Sequence, residues 1–285
     1  MQAAELANRR RRRRAQRRSL AWPDEDRFIH SRLREELLQR LEWTRLDASR
    51  VLDLGCGSGA AIAPLRARYP AADIIALDHH AGVLAQVDPE AQRICAAAEA
   101  LPLPDGSVDL VFASLTLAYC PDLPACLADA RRVLRAPGLF SFVTLGRDAF
   151  LELGRAWATA DKYAHIPPQP DMHDLGDLLV RAGFSEPVLD TDIVKVSYGD
   201  PRRLWQDLRA AGAANTLAQR NPGLTGRGAA QRLEAALRSL AGDDGRFDIS
   251  LELVFGHAWA AAAAGRRRAG FQEISPDQIG GLKRR

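Results

Sequence analysis

The sequence predicts an α/β protein: one mostly parallel, seven-stranded sheet with helices on both faces and an antiparallel last strand. Three observations predict it. Short aliphatic runs alternate with stretches of helical periodicity from residue 50 to residue 196. A glycine-rich turn, Gly55-Cys56-Gly57-Ser58-Gly59, separates the first of those runs from the helical stretch that follows. A final aliphatic run, Ile249 to Phe255, returns only after an insertion of over forty residues.

The elements follow in order. Asp24 to Leu41 sets Phe28, Ile29, Leu33, Leu37, Leu38 and Leu41 at helical spacing, predicting a helix over the mouth of whatever site the glycine turn opens. Strands are expected at 50–54, 73–78, 92–95, 108–113 and 138–145, with helices between them; Ala60 to Arg68 is the first of these. The helix before the fifth strand ends in Arg135-Ala136-Pro137-Gly138. Residues 148–162 read as a helix, and His165-Ile166-Pro167-Pro168-Gln169-Pro170 as an extended loop, because residues before proline avoid helical geometry. Asp171 to Ala182 is a helix closed by Gly183. Val188 to Val196 is the sixth strand. The insertion, about 200–247, is helical at 200–211 and 228–241, and 249–255 is expected as an antiparallel partner inside the sheet. The folded domain is thus residues 23–259, preceded by a basic, disordered segment (1–22) and followed by a flexible Ala-, Gly- and Arg-rich tail (260–285).

Composition narrows the class. Hydrophobic residues make up 47% of the chain, enough for a sizeable core, but no apolar run reaches the ~18 residues of a membrane span. The basic N-terminus has no apolar stretch behind it and does not read as a secretory signal. The four cysteines, Cys56, Cys95, Cys120 and Cys126, lack metal-ligand spacing, so no metal is expected, and they read as reduced thiols of a cytoplasmic protein. Residues 1–18 hold eight arginines against one glutamate, a charge of +7; the whole chain carries +3, so the remainder carries −4. Without interleaved aromatics this run is not expected to bind nucleic acid, and its alternatives are a solvated segment or a dock for an acidic protein.

The glycine turn and its neighbours predict a nucleoside site at the carboxyl ends of parallel strands. Gly55, Gly57 and Gly59 let backbone approach a ligand closely. Asp53 stands two residues earlier, placed to contact a ligand amino group or to fix the turn. Asp78 ends the second strand 21 residues after Gly57, where an acid bonds the hydroxyls of a ribose. Cys56 fills the turn as a small residue, and His79 follows Asp78 beside the nucleoside. Gly55-x-Gly57-x-x-Ala60 also fits the looser dinucleotide fingerprint, which keeps a nicotinamide cofactor in view. The pattern Asp53-x-Gly55-x-Gly57-x-Gly59 favours S-adenosylmethionine. Further on, Leu101-Pro102-Leu103-Pro104-Asp105-Gly106-Ser107-Val108-Asp109-Leu110-Val111-Phe112-Ala113-Ser114 is a turn running into a buried strand, which resembles the fourth strand of class I methyltransferases.

These elements, in this order, resemble the Rossmann-like class I methyltransferases. That resemblance implies S-adenosyl-L-methionine as cofactor and S-adenosyl-L-homocysteine as product, and adds Ala98 and Ser114 to the cofactor contacts. Segments further on are more specific: Ala156-Trp157-Ala158-Thr159-Ala160-Asp161-x-x-Ala164-His165, Met172-His173-Asp174-Leu175-Gly176-Asp177-Leu178-Leu179, Leu204-Trp205-Gln206-Asp207-Leu208, Gly223-Leu224-Thr225-Gly226-Arg227 and Phe255-Gly256-His257-Ala258-Trp259. Together, over roughly residues 48 to 259, they are similar to the malonyl-[acyl-carrier protein] O-methyltransferases of biotin synthesis. That likeness implies methyl transfer to the free carboxylate of a malonyl thioester, on acyl carrier protein or coenzyme A, by a monomer with no membrane partner. It departs at Ala97, where an acid is common, at Leu115 after Ser114, where Asn is common, and at Pro167-Pro168-Gln169 in the loop. Arg147 and His165 are the candidate clamps for the acceptor carboxylate, and Tyr119 and Trp157 candidate walls of its channel. Two other readings accompany this one: a cofactor-binding factor of complex I assembly that acts on a protein arginine, which shares similar C-terminal segments, and a methyltransferase for another small molecule.

Overall fold

The computed structural model describes residues 28–261 apart from 214 and 218. The basic segment 1–22 and the tail beyond Ala261 lie outside the described residues. Along the chain the elements are α1 (Phe28–Glu42), β1 (Arg50–Leu54), α2 (Ile62–Arg68), β2 (Asp73–Asp78), α3 (Ala81–Leu84), β3 (Gln92–Cys95), β4 (Val108–Ser114), α4 (Leu123–Val133), β5 (Leu134–Leu145), α5 (Leu151–Ala160), α6 (Met172–Arg181), β6 (Ser185–Tyr198), α7 (Pro201–Ala210), α8 (Arg227–Arg238) and β7 (Phe247–Ala260). The seven strands form one sheet in the order β3-β2-β1-β4-β5-β7-β6. β1 to β5 pair in parallel, and β7 runs antiparallel between β5 and β6. The expected α/β sheet with its antiparallel last strand is therefore the fold.

Local chemistry sets the elements. β1 and β4 are almost wholly buried, covered on both faces as parallel strands in the middle of a layered sheet must be. Asp122, Asp171 and Asp200 cap α4, α6 and α7, accepting hydrogen bonds from the main-chain N–H groups of Ala125, Asp174 and Arg202. Gly183, at φ +90°, closes α6.

Four expectations are corrected. β6 runs from Ser185 to Tyr198 and β7 from Phe247 to Ala260, both longer than expected, because the pair is in register almost throughout. Ala260, assigned to the tail, instead pairs with Gly138. β5 starts at Leu134, directly after α4, where Leu134 pairs with Val108 ahead of a register shift. α1 does not serve as a cover for the site's mouth alone. Leu33, Leu37 and Leu41 are buried with Val51, Leu110, Leu139 and Phe255, so the helix lies along one face of the sheet. Arg40 fastens it there, 2.9 Å from Asp190 and with its guanidinium 4.1 Å above the Phe255 ring.

The insertion builds a cap at one end of the sheet. Leu145, the last residue of β5, pairs with Leu253, so Phe247 to Glu252 project beyond it. Against that projection α5, α7 and α8 pack a core of their own, with Leu153, Ala156, Leu204, Leu233, Leu237, Phe247 and Ile249 buried together. The cap thus stands at the carboxyl end of β5, the end at which β1, β2 and β4 also finish.

Candidate functional site

The glycine turn folds as its composition requires. Gly55, Gly57 and Gly59 sit at φ +76°, +54° and +80°, left-handed conformations that disfavour a side chain. The main-chain N–H groups of Gly55 and Cys56 both bond the Leu77 carbonyl, at 2.7 and 3.0 Å, which staples the turn to the end of β2. A side chain on Gly55 would collide with Thr116 Oγ1, itself hydrogen-bonded to the Leu54 carbonyl at 2.5 Å. At Gly57 the opposite holds. A Cβ there meets nothing within 4 Å and would project into the crevice.

Two buried carboxylates face this turn. Asp78 is 3% exposed; its Oδ2 accepts from the Gly57 N–H at 3.3 Å and its Oδ1 from the His80 N–H at 2.9 Å, so the acid is held in place by the loop it serves. His79 lies alongside, its Nδ1 3.4 Å from Asp78 Oδ1. Asp53 is also 3% exposed, and its Oδ2 is buried with no hydrogen-bond partner among the described residues. Burial and then the neighbouring Asp78 push its carboxyl up to about 7, against the pull of Arg34. A buried, unsatisfied carboxylate oxygen beside an open glycine is the arrangement expected where a ligand brings a cation or hydrogen-bond donor. The residues therefore fit S-adenosylmethionine, which carries both an ammonium group and ribose hydroxyls.

The remaining expected cofactor residues are distributed as follows. Cys56 is buried, and its thiol is pushed far up by burial and by Asp53 and Asp78, so it supplies no thiolate. Ser114 ends β4 at the same edge, and Leu115 after it takes the left-handed φ of 61° to turn the chain away. Ala98 packs half-buried against the core beyond β3.

The expected acceptor residues do not converge on one clamp. Arg147 is exposed and pairs with Asp171 at 3.4 Å. Tyr119 is 40% exposed, in the short helical turn after β4. His165 is nearly buried, lies flat against Trp157 with ring centroids 3.6 Å apart, and bonds Asp161 Oδ1 through Nε2 at 2.8 Å. The His165–Pro170 loop nonetheless runs beside the site, because Gln169 Nε2 donates to the Ala118 carbonyl at 3.2 Å.

Sequence reading missed Thr116, Arg34 and Asp161. Thr116 is placed by the turn after β4, and Arg34 acts on Asp53 from α1; no spacing along the chain links either to the glycine turn. Asp161 was legible only as part of a longer motif.

Comparison with known proteins agrees with this geometry. A family described as "Methyltransferase domain" matches residues 52–142, which run from β1 through the glycine turn into β5. The chain is 40% identical over 238 residues to a protein of Gallionella capsiferriformans named malonyl-[acyl-carrier protein] O-methyltransferase, covering 79% of this chain and 82% of that one. It is also 40% identical over 265 residues to the Laribacter hongkongensis protein of the same name, covering 88% and 89%. Among solved structures it superposes on the YcgJ protein from Bacillus subtilis with a TM-score of 0.58 at 14% identity, over 80% of this chain and 99% of that one. A Bacillus halodurans putative methyltransferase gives 0.57 at 16% identity, over 79% and 97%. At such identities those two speak for the fold alone.

Proposed function

Because the chain belongs to the malonyl-[acyl-carrier protein] O-methyltransferase family, we propose that it methylates the free carboxylate of a malonyl thioester, an early step of biotin synthesis. The single observation that carries the reading is this kinship, which extends over most of the chain, cap included. The orphaned Asp53 oxygen beside Gly57 supports it from the structure. Kinship favours this reading over a factor acting on a protein arginine and over another small-molecule acceptor.

The chemistry asks little of the protein in the way of proton transfer. A malonyl carboxylate is ionised at neutral pH and needs no general base. When bound, S-adenosylmethionine supplies a methyl carbon on a sulfonium, so that a carbon–oxygen bond forms as the carbon–sulfur bond breaks and its electron pair stays on sulfur. The chain's residues position and exclude water. Gly57 would leave room for the cofactor, Asp78 would hold the ribose hydroxyls, and Asp53 would accept from the ammonium group. Ser114, Ala98 and His79 would line the nucleoside. On the acceptor side Tyr119 and the His165 loop shield the reacting oxygen, while Arg147, released from exposed Asp171, offers a charge to the carboxylate. We further take the acceptor to be malonyl-acyl carrier protein or malonyl-coenzyme A, and the enzyme to act as a monomer. Among the described residues no helix is long and apolar enough to cross a membrane.

Intact-protein mass spectrometry of malonyl-acyl carrier protein tests the reading. Incubation with S-adenosylmethionine and this protein adds one methyl ester, and Asp78→Ala abolishes the gain. An unmodified carrier protein, with S-adenosylhomocysteine still binding, would overturn the acceptor and leave the cofactor in place.

A further inference from the structure

Beside α5 lies an open cavity of about 430 Å³, walled by Trp157, Ala158, Asp161, Lys162, His165 and Ile166, among others. Among the described residues that line it, one buried polar atom lacks a partner. Asp161 Oδ1 is fully used, by His165 Nε2 at 2.8 Å and by the Tyr163 N–H at 2.9 Å. Its Oδ2 is buried with no partner among the described residues. The carboxyl is nonetheless held below its usual range, since the hydrogen bonds from His165 and Tyr163 outweigh its burial. An ionised carboxylate accepts and never donates. The Asp161 wall of the cavity therefore suits a ligand group that brings an N–H or O–H.

We propose that this cavity seats the neutral, amide-bearing arm by which the malonyl group is carried, with Asp161 Oδ2 accepting from an arm amide N–H. The proposal rests on the malonyl thioester reading above. A pantetheine arm is slender and uncharged and carries two secondary amides and a hydroxyl, which are the donors Asp161 lacks. Its methylenes meet the Trp157 ring and Ile166. The cavity's place in the fold agrees: α5 leaves the carboxyl end of β5 through Gly146–Phe150, and the loop after it returns to Ala118 beyond β4. An arm lying there leads its thioester end toward the crevice of Asp53 and Gly57. The stacking of His165 on Trp157 and its bond to Asp161 make His165 a positioning residue that fixes this wall.

Steady-state methylation of two malonyl thioesters tests the site: that of pantetheine, with two amides, and that of ethanethiol, with none. Asp161→Asn retains an Oδ1 for Tyr163 and turns the orphan acceptor into a donor. The ratio of kcat/KM for the pantetheine ester over the ethanethiol ester falls roughly tenfold in D161N, through KM and not kcat. An unchanged ratio overturns the proposal. Should D161N fail to fold, Ala158→Leu, which fills the cavity from α5, is expected to give the same loss. Titration of wild-type tryptophan emission with pantetheine separates the arm site from the acceptor reading. If neither thioester is methylated while pantetheine still gives a saturable change that D161N abolishes, the arm site stands and malonyl as acceptor falls. If no saturable change occurs, the arm site falls.

Discussion

Asp53 shows at single-residue scale how a buried acid weighs on stability. Its carboxyl, raised from 3.8 to about 7 by burial and Asp78, resists ionising in the folded chain. The sign of the linkage follows. Below the unfolded value both states hold the proton and no penalty exists; as pH rises toward 7 the unfolded chain releases it first, so folding weakens, by on the order of 4 kcal/mol at most once pH exceeds the folded value. Asp53→Asn is therefore expected to melt higher than wild type, with a gap that widens between about pH 5 and about pH 8, and to bind S-adenosylhomocysteine roughly tenfold more weakly. Thermal denaturation across that range, with calorimetric titration of the ligand, checks both; a gap that stays flat with pH removes the argument. The glycines give a paired prediction. Gly57→Ala costs about 1 kcal/mol for its left-handed backbone but loses cofactor affinity out of proportion, because its methyl group enters the crevice. Gly55→Ala is the reverse, a loss of folding stability first, because it displaces Thr116 from the Leu54 carbonyl. Equal effects of the two on melting temperature and on affinity would contradict the assignment.

At the scale of elements, the first half of the sheet was legible and the second half only partly. β1, β2 and β4 are mostly apolar because both faces are covered, and such segments stand out in any sequence. β6 is an edge strand with alternating exposure, carrying Asp190, Asp192 and Lys195, so its ends merged into what reads as loop. Its length is fixed by β7, which offers a partner from Phe247 to Trp259. β7 depends in turn on close approach at Gly256, where a side chain would strike Phe142 of β5 and Leu189 of β6. Gly256→Ala is accordingly expected to destabilise by about 2 kcal/mol through overpacking, measured as a lower denaturant midpoint with an unchanged slope. An unaltered midpoint would mean that the β5–β7–β6 region is looser than the register implies.

Over the whole molecule, charge divides the chain. The first 18 residues carry +7 and the remainder −4, and a concentrated positive run steers acidic partners at a distance. If that run recruits an acyl carrier protein, the rate on malonyl-carrier protein falls steeply between about 50 and about 300 mM salt, and deleting residues 1–18 removes most of that fall while sparing malonyl-pantetheine. A salt response identical in the deleted and full-length chains would assign recruitment elsewhere.

By itself, the sequence determined the α/β sheet and the glycine turn after its first strand. These rest on local requirements: positive φ favours glycine, and strands covered on both faces need mostly apolar residues. Tertiary structure alone decided which polar atoms were left without partners. Asp53 Oδ2 and Asp161 Oδ2 look like any other carboxylate oxygens until the chain folds. Whether such an atom is satisfied depends on what β4, α1 and the cap bring against it from dozens of residues away. For the same reason the stacking of His165 on Trp157 and its bond to Asp161 appear only in the folded chain.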